Sequence, residues 1–208
     1  MSSRTLQRLA LLASVAFWLA TAASAHADIN FDPGNHPQPG EENILLKPDN
    51  QMGSTIFGIT VHSNTTIDFS STTDTLTNPA AGQAILRSTD GSINDVTISA
   101  PGFSFTDLIF DLEIGKLGPS TAVITVNASD GPFTYNFDLG NGQNFLTILA
   151  TNGETINSVT IDDSTGFYQL KQPRISGLFT PPPVPEPATL ALLGSGLLLG
   201  ASKIRRWF

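Results

Sequence analysis

The sequence predicts an all-β domain, an antiparallel β-sandwich that is jelly-roll-like, set between an N-terminal signal-peptide helix and a C-terminal transmembrane helix. Three observations predict the sandwich. Short runs rich in Thr, Val, Ile and Phe alternate apolar and polar residues with period two. Asx-Gly pairs separate them at Asp90-Gly91, Asp130-Gly131, Asn141-Gly142 and Asn152-Gly153, and such pairs supply the left-handed backbone of tight hairpins. No stretch between Asp28 and Thr180 keeps a helical period over three turns.

In chain order, Asp28 to Pro39, "DINFDPGNHPQP", is rich in turn residues and reads as a leader loop. Ser70 to Gly82 reads as a long loop or a distorted edge. From Phe103 to Ile114 the apolar parity slips. Phe103 and Phe105 share one face, while Leu108, Phe110, Leu112 and Ile114 share the other. A bulge near Thr106-Asp107 would bring both sets to the core, with Phe110 and Leu112 buried and Asp111 outward. Ala122, Ile124, Val126 and Ala128 line one face of the next run. Phe133, Tyr135, Phe137 and Leu139 follow with the same alternation, which places Tyr135 in the core. A second slip near Asn157-Ser158 separates Ile156 from Val159 and Ile161.

Composition narrows the function. The 208 residues contain no cysteine, which excludes disulfide staples, thiolate metal sites and cysteine nucleophiles. The net charge of −8 is unevenly spread. Five basic residues, Arg4, Arg8, Lys203, Arg205 and Arg206, lie in the ends. The span from Asp28 to Glu186 holds the other five and all 18 acidic residues, for a net of −13. A body this acidic repels phosphate backbones, so nucleic acid is not an expected partner.

The first 27 residues have the anatomy of a signal peptide. Arg4 and Arg8 precede an apolar run from Leu9 to Leu19, and Ala25-His26-Ala27 fits the small-residue cleavage pattern, with Ala23-Ser24-Ala25 as a second candidate. Export by the Sec machinery follows from that reading. At the other end, Ala188 to Ser202 carries no charge over 15 residues, about 22 Å of helix against a bilayer core of about 30 Å. It is a short transmembrane span, with Lys203, Arg205 and Arg206 as the cytoplasmic stop. Before it, Pro181-Pro182-Pro183-Val184-Pro185-Glu186-Pro187 has few amide donors and favours extended chain.

Val184-Pro185-Glu186-Pro187, then an apolar helix, then Lys203-Ile204-Arg205-Arg206 resembles the PEP-CTERM protein-sorting signal. The resemblance implies processing by an exosortase, a membrane-embedded transpeptidase-like enzyme, in a bacterium that makes exopolysaccharide. It implies a protein held on the outer side of the inner membrane before the tail is removed, and afterwards at the cell surface or outside. The organisation expected is signal peptide 1–27, sandwich 28–180, proline-rich linker and motif 181–187, membrane helix 188–202 and basic tail 203–208.

The resemblance gives a route but no activity for the body. His36 and His62 lack metal-binding spacing, and no Gly-x-Ser-x-Gly elbow stands in the body, so the expectation is a non-catalytic surface or matrix protein with no required cofactor. A structural calcium would draw on the loop acids Asp90, Asp95, Asp162 and Asp163. A carbohydrate-binding module is the alternative, with exopolysaccharide as ligand and Tyr168 as its exposed aromatic. A hydrolase ranks behind both.

Overall fold

The computed structural model describes residues 28–47, 50–79 and 84–180, and the signal peptide, sorting motif, membrane segment and basic tail lie outside them. Among the described residues the ordered elements are all strands: β1 Asp28–Pro33, β2 Glu42–Leu46, β3 Met52–Gly53, β4 Thr55–Thr60, β5 Thr66–Ser70, β6 Leu76–Thr77 and β7 Ile85–Ser88. They continue as β8 Ile93–Ser99, β9 Asp107–Glu113, β10 Ser120–Ala128, β11 Gly131–Leu139, β12 Asn144–Thr151, β13 Ile156–Phe167 and β14 Gln169–Ser176. Every ladder pair is antiparallel.

Two sheets face each other. Sheet I runs β1-β12-β9-β14, and the free edge of β14 is shared by β7, through Gln169 to Lys171, and by β2, through Arg174 and Ile175. Sheet II runs β4-β5-β8-β13-β10-β11, and β2 joins the sheets by pairing also with β4. One apolar cluster fills the space between, with Phe69 from sheet II and Phe110 from sheet I both fully buried. At one side Phe31 of β1 stacks on Tyr135 of β11, ring centroids 5.0 Å apart. Tyr135 is half-buried, on the rim of the core rather than within it.

The turns account for how the chain passes between the two sheets. Of the four Asx-Gly pairs, only Asp130-Gly131 closes a hairpin, between β10 and β11. The other three lie between β7 and β8, β11 and β12, and β12 and β13, and each carries the chain from one sheet to the other. The hairpin expectation fails there because a positive-φ residue reverses the chain without choosing its partner; Gly91, Gly142 and Gly153 all have positive φ.

The slip near Asn157 is a bulge: the β10–β13 register jumps from Asn127↔Ser158 to Ala128↔Ile156. The slip near Thr106 is a change of sheet. Phe105 exchanges backbone hydrogen bonds with Ile156 of β13, and β9 begins in sheet I two residues later. Leu108, Phe110 and Leu112 fill the core as expected.

Two further expectations are corrected. The leader loop begins as β1, paired residue for residue with β12 from Asp28↔Thr151 to Pro33↔Leu146. Turn-rich composition hid an edge strand whose polar residues face water. Asp111 is on the outer face but is fully buried, because β9 is covered on both sides. The segment between β1 and β2 crosses this face, bonded to Thr147 and Arg174 on either side of Ile109.

Candidate functional site

The outer face of sheet I sets acids of β9 against cations of β14. Strand parity aligns Asp107, Ile109, Asp111 and Glu113 of β9 beside Ser176, Arg174, Lys171 and Gln169 of β14. Lys171 and Arg174 are three residues apart and would point to opposite faces of a regular strand. A register shift between them, with Gln172 at φ 49°, returns both to the same face.

At one end of this face the polar groups form a chain. Arg87 Nε of β7 donates to Gln169 Oε1 at 2.9 Å, Gln169 Nε2 donates to Glu113 Oε2, and Lys171 Nζ donates to Glu113 at 3.0 Å. The Gln169 and Lys171 hydrogen bonds hold the Glu113 carboxyl below its ordinary range. The Arg87 guanidinium lies 4.9 Å from the Tyr168 ring centroid. Tyr168 is therefore half-buried with its ring partly covered, not the open platform expected.

At the other end lies a buried acid pair. Arg174 Nη1 donates to Glu41 Oε2 at 3.3 Å, and Arg174 Nη2 donates to Asn35 Oδ1. Asp107 Oδ2 receives a long bond from Ser176 Oγ, 3.4 Å, and its carboxyl adjoins that of Glu41. Glu41 Oε1, Asp107 Oδ1 and Arg174 Nε are buried without a hydrogen-bond partner. Burial, then the neighbouring Glu41 charge, pushes Asp107 up to about 7. Burial also raises Asp111, which accepts the Asn144 amide at 2.7 Å.

The sequence reading missed this site. One signal was present: three of the body's five cations, Arg87, Lys171 and Arg174, converge on it, and two of them stand in one short run.

The four acids considered for calcium are not gathered. Asp95 and Asp162 are cross-strand partners on β8 and β13. Asp95 accepts from Ser71 Oγ at 2.6 Å, Thr72 N at 2.8 Å and Thr73 N at 3.0 Å. Burial opposes its ionisation, but these donors outweigh it and hold the carboxyl well below its ordinary range. Asp162 is exposed; partial desolvation, then the Asp95 charge, raises it. Asp163 points the other way, taking the Ser120 hydroxyl and the amides of Thr165 and Gly166. Asp90 caps its own turn through Ser88 and Ser92. Among the described residues no group of three or more His, Asp or Glu is arranged to hold a metal ion. His36 lies 3.5 Å from Asp32, and the His62 amide donates to Glu42.

The outer face of sheet II is different in kind. Its registers align Thr55, Ser70, Thr97, Thr160, Thr125 and Thr134 in one row across six strands. Neighbours in such a row are roughly 4.8 Å apart, and Thr97 and Thr160 share a hydrogen bond of 2.9 Å.

Comparison with known proteins identifies one segment. Residues 183–206 match the model of the PEP-CTERM protein-sorting motif. The chain therefore carries the sorting signal of exported proteins that an exosortase processes at the membrane. No curated protein matches the chain. Among solved structures, a variant of the family 29 carbohydrate-binding module CBM29-2 is 15% identical, with TM-score 0.25 over 76% of this chain and 92% of that one. CBM29_1, a family 29 module from Piromyces equi, is 8% identical, with TM-score 0.27 over 74% and 91%. Overlaps this low carry no ligand or site over to this chain, and its sandwich rests on its own strand pairing.

Proposed function

We propose that this is an exported cell-surface or extracellular-matrix protein whose sandwich is non-catalytic and meets hydrated exopolysaccharide. The observation that carries the reading is the sorting motif at 183–206, which follows the last strand and the Ser104–Phe179 bridge by a few residues. Residues 1–27 direct Sec export, with cleavage after Ala25 or Ala27. Residues 188–202 then hold Pro185-Glu186-Pro187 at the outer membrane face, with Lys203, Arg205 and Arg206 as the stop. Glu186→Ala should leave export intact and block tail removal, so that the membrane-bound chain keeps Phe208. Mass spectrometry of the C-terminus reads this. Wild-type protein that keeps Phe208 in an exosortase-bearing host would overturn the processing reading and leave the tail as an anchor.

A second reading, a carbohydrate-binding module, is favoured by the Arg87–Gln169–Glu113–Lys171 chain beside Tyr168. Several hydrogen-bonding groups there converge next to an aromatic ring, as sugar sites require. Glycan binding by the exported protein that falls at least about tenfold in Lys171→Ala would decide for it, since that loss equals one charged hydrogen bond. Undiminished binding would remove this face from consideration.

A further inference from the structure

The segment between β1 and β2 crosses the outer face of sheet I and is fastened on both sides of β9. On the β12 side Gly34 N donates to Phe145 O at 2.8 Å, Thr147 Oγ1 donates to Gly34 O at 2.8 Å, and His36 N donates to Thr147 Oγ1 at 3.1 Å. On the β14 side Arg174 reaches Asn35 and Glu41. Thr147 and Arg174 are the two cross-strand partners of Ile109. Ile109 is consequently buried on a face that would otherwise be wet.

The charges beneath this segment do not balance. Glu41 on the segment and Asp107 on β9 are two acids against one cation, Arg174 on β14. The nearby Lys171 of β14 is engaged with Glu113, and Asp111 adds a further buried acid on β9. Ser176 of β14 offers Asp107 one long hydroxyl bond. From β1, Asp32 faces His36 of the segment, both half-exposed at the rim. A buried carboxylate without donors is costly, and Glu41 Oε1 and Asp107 Oδ1 both lack one; a proton on Asp107 removes one of the two charges.

We propose that residues 34–41 form a strap held shut while the buried Asp107 beneath it keeps a proton, and opened when that proton is lost. The Asp107 value of about 7 puts the release near neutrality. Once ionised, Asp107 needs water, and the least disruptive route is for Glu41 to swing away with the strap. The strap is closed in acid and opens as the medium turns alkaline, uncovering Ile109, Thr147 and Arg174.

The test is hydrogen exchange on the full-length protein at pH 5.5 and pH 8.5, corrected for intrinsic rates. Protection of the Gly34 and His36 amides should fall at least about tenfold across that range, while the β10–β11 hairpin keeps its protection; the fall follows from one proton of linkage. Asp107→Asn, neutral at every pH, should stay protected throughout, and Asp111→Asn should keep the wild-type response. An infrared band for a protonated carboxyl at pH 6, absent at pH 8.5, checks the proton in the wild type even if Asp107→Asn does not fold. Equal protection at both pH values, or a persistent response in folded Asp107→Asn, would overturn the proposal.

Discussion

Asp95 and Asp107 are both carboxylates withdrawn from water, and their donors set them on opposite courses. Asp95 sits where the chain after β5 turns back, and Ser71, Thr72 and Thr73 supply hydroxyls and amides to both of its oxygens. Asp107 has one distant hydroxyl and an acid for company. Glu154 repeats the Asp95 solution: burial opposes it, but bonds from Ser129, Asp130 and Thr155 hold its carboxyl low at the hairpin turn. Among apolar residues, Phe110 is fully buried at the middle of β9 between the sheets. Phe110→Ala should cost about 3–5 kcal/mol in denaturant melts, from lost transfer energy and the cavity left behind. A loss below about 1 kcal/mol would mean the site collapses without penalty.

At the scale of elements, β9 and β14 decide where the charges lie. Period two gives the faces of β9 correctly, with Leu108, Phe110 and Leu112 to the core. It cannot report that the opposite face is also covered, because the 34–41 segment that crosses it is some seventy residues distant in sequence. In β14 the bulge at Gln172 and Pro173 re-aims Arg174 beside Ile109. A proline inside a strand marks such a bulge, so the signal was in the chain, but its partner at Ala84 was not. Glycine plays a comparable part in β4. A side chain at Gly58 would stand 2.5 Å from Ile44 Cγ2 and 3.3 Å from the Leu45 carbonyl oxygen, so only glycine lets β2 lie against β4 there.

Across the whole molecule, two groups of acids pull stability in opposite directions with pH. Asp107 is raised in the fold; its contribution is full below its unfolded value near 4 and is lost as pH rises toward and through about 7. Asp95, Glu154, Glu42 and Glu113 are lowered; their contribution is present above the ordinary carboxylate range and is lost as pH falls through it. The folded protein should therefore be most stable between about pH 4.5 and 6, with thermal melting points falling on both sides. Asp107→Asn should flatten the alkaline limb alone. An unchanged alkaline limb would show that Asp107 does not hold its proton in the fold.

The sequence alone determined the class of the body and the route signalled by its tail. Period-two alternation and turn residues are local properties, and Pro185-Glu186-Pro187 before an apolar run is a contiguous motif, so neither needs a partner to be recognised. Tertiary structure decided everything that depends on which strand lies beside which. It turned three Asx-Gly turns into sheet crossings, made a strand of the turn-rich leader, and buried Asp111. It also drew Glu41, Asp107 and Arg174 together from three separate regions of the chain. The physical reason is that a polar residue's cost or use is set by burial and by its neighbours in space, and neither is encoded in the residues adjacent to it.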